Sequence, residues 1–508
     1  MNIKTWAEKV QQAAGQPEKV FMLGLIIAAF CTLSHVFFLS DIFRDTAHVY
    51  AVFARAIGEG NWSEGIATKV PMLNISLAGI LAGCGLEAVK ALSLVAGIFY
   101  LLTCFPLRRL LERYVSPAAA AWGCVLYVCA PKMIRFACAP LLESTRIFFL
   151  VAAILYFLRC SEEPKLKNMV LFGLSAGFLA VSRAEGAVVS LALLGGYWLF
   201  LLLFRKSAVW KKQFTAMIIA VICAVAAISP FCVMNYSKSG YFTPDARMVE
   251  FAKIQIQKFT GDSTCAVADA QKKSEKSTSY SNDMTEKKGF DHDVSCFIRG
   301  GYELYIILAL LGMILIIKRK QWSTDYWLLV AVSALQCVVY IATISAQRYY
   351  LFLIPLFMMF TLAGVEFVRD LIKKHLPQKL HIFCLAVCVL ILGGQVANGV
   401  KRAYSSKGKD LQAAGRWIAE YGKKHFPDRK LIIFAPQMTE VAYWSGAVHT
   451  DGYEKKQNDP ATFKDFDLAV VHRKKSFNME KRTDLERLSD TPHSKNIWIF
   501  KVKKQENK

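Results

Sequence analysis

Long apolar stretches divide the chain into segments of the length that crosses a membrane. A transmembrane helix needs about 20 consecutive apolar residues, and runs of this kind recur from the N-terminal region to the middle of the chain. They predict eleven spanning helices, at about 20–40, 86–106, 118–131, 141–159, 166–181, 186–204, 214–233, 301–318, 325–344, 349–367 and 380–398. The segments at 118–131 and 166–181 are short, and either could extend further or be partly re-entrant. The apolar stretch 71–85 leaves little room for a turn before the next span and is predicted to be an interfacial helix.

Basic residues are concentrated in alternate loops, and this predicts the orientation of the chain. The basic loops contain Arg108, Arg109, Arg113, Arg159, Lys165, Lys167, Arg205, Lys206, Lys211, Lys212, Lys318, Arg319, Lys320, Arg369, Lys373 and Lys374. Cytoplasmic loops carry an excess of Lys and Arg, so these loops are predicted to face the cytoplasm. Eleven crossings then place the N-terminus inside and the region after residue 398 outside, as in a protein of the bacterial inner membrane.

The composition supports a polytopic membrane protein. Hydrophobic residues make up 54% of the 508 residues, and the mean hydropathy is +0.32, which is more apolar surface than a soluble protein of this length needs. No short apolar core with a small-residue cleavage site is seen at the start. The first helix is therefore expected to stay in place as an anchor.

The region 399–508 has the mixed composition of a small soluble domain. Residues 410–425 show helical periodicity, Thr439 is a candidate cap for a short helix, and the segments 430–435, 466–471 and 496–502 are apolar and typical of strands. An α/β domain is predicted here. The spans form a transmembrane domain over 1–398, with a polar outer loop at 235–300 that is expected to be flexible.

The net charge of the chain indicates which binding partners to expect. The net charge is +23, and the basic C-terminal region indicates either attraction to anionic lipid headgroups or a solubilising surface. Nucleic acid is not an expected partner outside the membrane.

Of the 14 cysteines, Cys265 and Cys296 lie in the long outer loop, where a disulfide between them is one hypothesis. No spaced Cys/His set or glycine-rich phosphate loop is present, so no cofactor is expected, and the sequence leaves the participation of a metal ion open.

Charged and aromatic side chains collect in the predicted outer loops. They are Asp45, His48, Lys132, Arg135, Glu143, Arg183, Glu185, Gln347, Arg348 and Tyr349. Transporters more often place such groups near the bilayer midplane, so this arrangement predicts a site at the outer membrane surface. A carboxylate that faces arginines suits transfer from a lipid phosphate, because the acid can take a proton from an acceptor hydroxyl. Arginines can hold the phosphate through paired hydrogen bonds and stabilise its developing charge.

Each of these residues also has a plainer interpretation. Arg183 and Glu185 could pair only with each other at a helix end. Glu143 could interact favourably with the start of the helix that follows it. Arg348 could be a boundary residue whose charged head reaches the interface. His48 is expected to be positional rather than catalytic.

Six short motifs follow one another along nearly the whole chain. They are Asp45 with Tyr50 and residues 60–62, the proline-led apolar segment 71–85, residues 183–186, Asn235 and Tyr236 with residues 240–244, Arg348 and Tyr349 with Pro355, and residues 414–418. In their order and topology they resemble the GT-C superfamily of membrane glycosyltransferases that use polyprenyl-phosphate sugars. This superfamily includes the protein O-mannosyltransferases and the lipid A aminoarabinose transferases.

The chain departs from the pattern of that superfamily at three places. Thr46 stands where a second acid is usual, Tyr50 comes one position later than in many relatives, and Ala184 replaces the usual proline. The first departure removes a paired-acid role from the first outer loop. The identities of the donor and of the acceptor therefore stay open.

The resemblance implies a polytopic helical GT-C transferase with an extracytoplasmic α/β domain. Such an enzyme would move a sugar from a polyprenyl-phosphate carrier to a lipid, glycan or protein acceptor. Asp45 would be the general base of an inverting displacement, Glu143 a second acid, and Arg183 with Arg348 would hold the donor phosphate. Further candidates for the phosphate site are Lys132, Arg135, Glu185 and Tyr349.

Two other classes of protein remain as alternatives. A transporter or lipid flippase for envelope glycoconjugates would have a cavity with alternating access. A non-catalytic scaffold for polymer assembly would tolerate the loss of Asp45.

Overall fold

The structure is a computed structural model that describes residues 15–39, 42–43, 45–68, 70–203, 210–246, 290–342, 346–375, 378–403, 406–435, 438–449, 466–472, 484–488 and 497–503. Its helices are α1 (Pro17–Phe38), α2 (Ala51–Gly58), α3 (Trp62–Gly65), α4 (Met72–Gly83), α5 (Ala88–Leu111), α6 (Pro117–Cys129), α7 (Pro131–Ala137), α8 (Glu143–Glu162), α9 (Leu166–Ser182), α10 (Ala184–Leu203), α11 (Trp210–Ser239), α12 (Phe290–Gly300), α13 (Glu303–Lys318), α14 (Thr324–Ala342), α15 (Leu353–His375), α16 (Gln378–Ala403), α17 (Ser406–His425) and α18 (Thr439–Ser445). A π-helix, Thr46–Tyr50, precedes α2, and a 3-10 helix, Gln347–Phe352, precedes α15.

Each of the eleven segments predicted to span a membrane coincides with a helix. Within the described residues, five helices are long and apolar enough to cross a bilayer, and two bent pairs would raise that number to seven. Several shorter apolar helices accompany them, and one of these, α4, covers the segment predicted to be interfacial. The helical, membrane-type architecture is thus confirmed, while the number of crossings stays a prediction.

The predicted span at 118–131 continues beyond its expected end through a bend. Helices α6 and α7 meet at 61°, at the junction of Ala130 and Pro131. Ala130 has an extended backbone, with φ −62° and ψ 120°, because a following proline disfavours the helical region. Pro131 then begins α7, where its missing N–H leaves no hydrogen bond unmade. The bend turns the short helix α7, which carries Lys132 and Arg135, away from the axis of α6.

Glycines allow two helix pairs to pack with their backbones close together. A Cβ atom at Gly312 of α13 would meet the carbonyl oxygen of Phe360 on α15, and one at Gly364 would meet that of Leu308. A Cβ atom at Gly173 of α9 would likewise meet the carbonyl oxygen of Ala220 on α11. Small residues are common where membrane helices cross, because close packing supplies much of the energy of helix–helix association in a membrane.

The chain divides into two compact units. The larger contains the described residues within Met1–Phe37, Phe53–Gln255 and Lys288–Arg402, and the smaller contains those within Phe38–Val52 and Ala403–Lys508. The sequence prediction assigned the segment after the first helix to the transmembrane domain. In the structure this segment, which holds Asp45, belongs to the smaller unit, where its π-helix packs against α18.

The smaller unit is built on a five-stranded mixed sheet. Its strands are β1 (Ile432–Phe434), β2 (Val448–His449), β3 (Leu468–His472), β4 (Leu485–Arg487) and β5 (Ile497–Val502), in the spatial order β2-β1-β3-β5-β4. Strand β1 pairs in parallel with β2 and β3, and β5 is antiparallel to β3 and β4. The predicted α/β fold is confirmed, although the short strands β2 and β4 were not predicted.

Alternating side chains of β5 bury both faces of this sheet. Ile497 and Ile499 join the core beneath α17 and α18, while Trp498, Phe500 and Val502 join an aromatic core on the other face. Side chains alternate between faces along a strand, which is why five of the six residues of β5 can contribute to two cores, while Lys501 is exposed. The sequence prediction placed Thr439 as a cap, but the capping position of α18 is Met438 and Thr439 is its first helical residue.

An ion pair joins the segment before β1 to the segment before β3. Both guanidinium ends of Arg429 donate to the carboxylate of Asp467, each at 2.6 Å. The same carboxylate accepts the backbone N–H of Ile432 at 3.0 Å. The hydrogen bond to Asp467 raises the pKa of Arg429 above its ordinary value, so Arg429 stays positively charged over the whole physiological range.

Candidate functional site

Three separate parts of the larger unit bring charged side chains together at one end of its helices. Glu143 is the first residue of α8, and Arg183 lies in the break between α9 and α10. Glu185 is in the first turn of α10. Arg348 and Tyr349 lie in the 3-10 helix that leads into α15. These five residues, called the arginine cluster below, come from positions as far apart in sequence as Glu143 and Tyr349.

Glu143 is the shared partner of two arginines. Its side chain is 1% exposed, Arg183 donates from Nη1 to Oε1 at 3.0 Å, and Nε of Arg348 lies 3.6 Å from the same oxygen. The second oxygen, Oε2, accepts the backbone N–H of Leu142 at 3.0 Å. A buried carboxylate requires such compensation, because an unpaired charge is strongly disfavoured away from water.

Arg183 is held by two carboxylates at once. Besides its bond to Glu143, it donates to both oxygens of Glu185, at 3.2 and 3.3 Å. The plainer interpretation, in which Arg183 and Glu185 pair only with each other, is therefore wrong. The backbone of Arg183 is extended, with φ −163° and ψ 155°, and this break in the helix directs the side chain toward α8 rather than along α9.

The ring of Tyr349 lies beside both arginines. The guanidinium carbon of Arg183 is 4.3 Å from the ring centroid, and that of Arg348 is 5.2 Å away. Arg348 also donates from Nη2 to the Tyr349 hydroxyl at 3.3 Å. Stacking on an aromatic face keeps a guanidinium flat and fixes its direction, so Tyr349 and Glu143 together orient both arginines.

A third arginine, which sequence reasoning missed, lies beneath the cluster. Arg146 is 1% exposed and donates from Nη2 to the backbone carbonyl of Tyr349 at 2.8 Å. Its guanidinium also lies 5.4 Å from the Tyr340 ring. Its Nε and Nη1 atoms are buried without a hydrogen-bond partner. The available signal was its spacing of three from Glu143, which places both on one face of α8.

The two basic residues of α7 have different surroundings. Lys132 donates to the Oε1 atom of Gln347 at 2.9 Å, directly beside Arg348 in sequence. Arg135 lies 5.1 Å from the ring of Phe136 on its own helix. Of these two candidates for the phosphate site, the structure thus brings Lys132 to the segment that carries Arg348.

Asp45 begins a π-helical stretch in the smaller unit. It precedes Thr46, which is fully buried, and the π-helix runs from Thr46 to Tyr50 before α2 continues to Gly58. π-helical turns are rare and are frequently found at functional sites. How Asp45 lies relative to the arginine cluster stays a prediction. The side chain of His48, the residue Asp41 and the residue Cys265 lie outside what is described, so the proposed disulfide from Cys265 to Cys296 also stays a prediction.

The described part of the chain contains no candidate metal centre. There, three or more His, Cys, Asp or Glu side chains do not come together in a way that could hold a metal ion.

Comparison with known proteins gives the fold a name. No family model matches the chain, and neither does any curated protein sequence. Among solved structures, ArnT from Cupriavidus metallidurans bound to undecaprenyl phosphate superimposes with a TM-score of 0.63 and 11% identity, over 94% of this chain and 97% of that protein. The chain has the GT-C fold.

A second GT-C glycosyltransferase supports the same assignment. The apo form of the Archaeoglobus fulgidus oligosaccharyltransferase has a TM-score of 0.59 and 13% identity, over 90% of this chain and 69% of that protein. The same enzyme tethered to an acceptor peptide that contains the NVT sequon gives a TM-score of 0.55 and 12% identity, over 89% and 69%. At identities this low, the likeness establishes the GT-C fold alone.

Proposed function

We propose that the protein is an integral membrane glycosyltransferase that moves a sugar from a polyprenyl-phosphate carrier to an extracytoplasmic acceptor. The observation that carries the proposal is the arginine cluster, in which two oriented guanidinium groups meet at one helix end of a GT-C fold. One protein of this fold has been seen with undecaprenyl phosphate and another with an acceptor peptide. Those ligands are the donor-carrier and acceptor classes that the proposal assigns to this chain.

The charge of the cluster favours an anionic ligand. Among the described residues, Arg146, Arg183 and Arg348 come together around Glu143 and Glu185, and Lys132 contacts the neighbouring Gln347. The side chains of Arg183 and Arg348 are 13% and 18% exposed, so each can reach a ligand while keeping its partner. Two planar guanidinium groups can bind phosphate oxygens through paired, charge-assisted hydrogen bonds.

In the proposed reaction Asp45 is the general base. It takes the proton of an acceptor hydroxyl as that oxygen attacks the anomeric carbon of the donor sugar. The bond between that carbon and the phosphate oxygen breaks, and polyprenyl phosphate leaves with its electron pair. Arg183 and Arg348 stabilise the negative charge that develops on the leaving phosphate. A single displacement of this kind inverts the anomeric configuration.

Glu143 is best understood as a positioning residue. A carboxylate that is 1% exposed and already holds two arginines and a backbone N–H has little room for direct contact with a substrate. We therefore assign to it the orientation of Arg183 and Arg348, rather than the role of second acid that the sequence indicated.

The experiment that tests this function measures cleavage of the donor. Protein in native membrane vesicles, which supply the acceptor, is given polyprenyl-phosphate sugars of several kinds, and the release of polyprenyl phosphate is followed. General-base catalysis is commonly worth about 10²–10⁴-fold, so Asp45→Asn should reduce release by about that factor while expression and donor binding stay normal. Asp41→Asn, outside the motif, is the matched control and should have a mild effect.

The same assay separates the alternatives. A transporter or flippase would move the intact carrier without releasing polyprenyl phosphate from it. Full activity of Asp45→Asn, together with loss of activity in Glu143→Gln at unchanged donor affinity, would transfer the role of base to Glu143.

A further inference from the structure

A cavity of about 920 Å³ lies along the helices of the larger unit, away from the arginine cluster. It is lined by α1, α5, α8 and α9, and along α8 it extends from Phe148 to Arg159. Arg159 is sixteen residues from Glu143 on the same helix, or about 24 Å at 1.5 Å per residue. The charged rim of the cavity is therefore at the opposite end of α8 from the cluster, the end predicted to be cytoplasmic.

The rim of this cavity carries an excess of positive charge. It contains Arg108, Arg109, Arg159, Lys167 and Glu18. Arg108 pairs with Glu18 and Glu112, and Arg109 pairs with Glu112. Arg159 and Lys167, in contrast, form no ion pair with a carboxylate among the described residues, and the guanidinium of Arg159 lies 5.6 Å from the Tyr156 ring. Two positively charged groups thus point to an anionic occupant.

The wall of the cavity is apolar and has the length of one membrane leaflet. Phe148, Phe149 and Phe178 form a continuous aromatic surface, with successive ring centroids 4.9 and 5.1 Å apart. The eleven residue steps from Phe148 to Arg159 span about 16 Å. The hydrocarbon core of a bilayer is about 30 Å thick, so this wall matches an acyl chain that extends from the headgroup level to the midplane.

We propose that this cavity is a binding site for an anionic phospholipid of the cytoplasmic leaflet. The phosphate lies between Arg159 and Lys167, and an acyl chain lies against the phenylalanine wall. The site is separate from the proposed donor site, and it does not depend on the proposed enzymatic function. A bound lipid would fill the space between α1, α5, α8 and α9 and so stabilise the bundle on that side.

The test is native mass spectrometry of the full-length protein in detergent, titrated with dioleoyl phosphatidylglycerol. Dioleoyl phosphatidylcholine, which has the same chains and no net charge, is the lipid control. Each Lys or Arg near an anionic lipid contributes about 1 kcal/mol, so the double variant Arg159→Ala with Lys167→Ala should bind phosphatidylglycerol about thirtyfold more weakly (about 2 kcal/mol). Lys211→Ala with Lys212→Ala removes two exposed charges from the start of α11, which do not line the cavity, and should bind as the native protein does.

A second variant tests the apolar wall with the charges intact. Ala152 lines the cavity and is 4% exposed, and Ala152→Phe should fill the space of the acyl chain and reduce binding at least tenfold. Three results would overturn the proposal. They are equal binding of phosphatidylcholine, equal weakening by both double charge variants, and loss of undecaprenyl phosphate rather than phosphatidylglycerol on changing Arg159 and Lys167. The last would make the cavity a site for the carrier.

Discussion

The two ends of α8 both hold arginines with carboxylates, but the two sets of ion pairs differ in burial. At one end Glu143, 1% exposed, binds Arg183 and Arg348. At the other end Arg113 binds Glu162, whose side chain is 58% exposed. Arginine–carboxylate pairs thus occur at both ends, with a buried carboxylate at one end and an exposed carboxylate at the other.

We interpret this difference as a sign of the proposed phosphate site. An exposed pair contributes roughly 0–1 kcal/mol, because water and salt screen it. A buried pair is weak support for the fold, since apolar residues of similar volume would often serve as well. The burial of Glu143 with two arginines, and of Arg146 beneath them, is therefore better explained by a ligand that needs oriented positive charge.

Removing the shared carboxylate should have the largest effect. Glu143→Gln removes the carboxylate that Arg183 and Arg348 share and leaves Glu185 with Arg183, and we expect it to lower the free energy of unfolding by about 3 kcal/mol. Glu162→Gln at the opposite end should change it by less than about 1 kcal/mol. Denaturant titrations in detergent measure both. Equal effects of the two variants would show that the ion pairs at the two ends of α8 do not differ in their contribution to stability.

The buried Arg146 offers a sharper separation of stability from binding. Arg146→Met keeps the volume, and removal of a buried charge offsets the loss of one hydrogen bond, so the free energy of unfolding should change by less than about 1 kcal/mol. Tyr349 loses a hydrogen bond worth about 1 kcal/mol, so we expect the affinity for polyprenyl phosphate to fall about fivefold. Arg159→Met, on the same helix, should leave that affinity unchanged. A destabilised Arg146→Met protein with normal affinity would make Arg146 a purely structural residue.

The smallest effect is expected at the exposed pair of α1 and α5. Glu18 accepts hydrogen bonds from Arg108, and its side chain is 76% exposed. Glu18→Gln should give no measurable change of the melting temperature at physiological salt, because exposed charges are screened there. A clear loss of stability at high salt would show that this pair is more than a surface contact.

Much of the architecture could be predicted from the sequence because it depends on local patterns. The apolar runs predicted a helix at every one of the eleven segments, and strands β1, β3 and β5 were predicted from their apolar residues. Strands β2 and β4 have two and three residues, which is too short for an alternating pattern to be recognised. The bend at Pro131 was not predicted either, because proline alone does not give its angle.

The candidate site was predicted in part, for the same reason. Arg183, Glu185 and Arg348 were chosen because they lie at predicted loop ends, and the structure brings them together with Glu143. Arg146 was missed because it lies within an apolar helix, and its place beneath Tyr349 depends on how α8 packs against the 3-10 helix. Distances of this kind depend on tertiary packing and cannot be read from local pattern.

The most direct test of the central claim is the affinity of the purified protein for undecaprenyl phosphate. Arg348→Lys keeps the charge and loses the planar fork, and one charge-assisted hydrogen bond is worth roughly 1.5–3 kcal/mol. We predict about tenfold or greater weakening in a protein that still folds, and normal affinity in Arg159→Lys at the other end of α8. Near-normal affinity of Arg348→Lys would contradict the account and would move the phosphate site to Lys132 and Arg135.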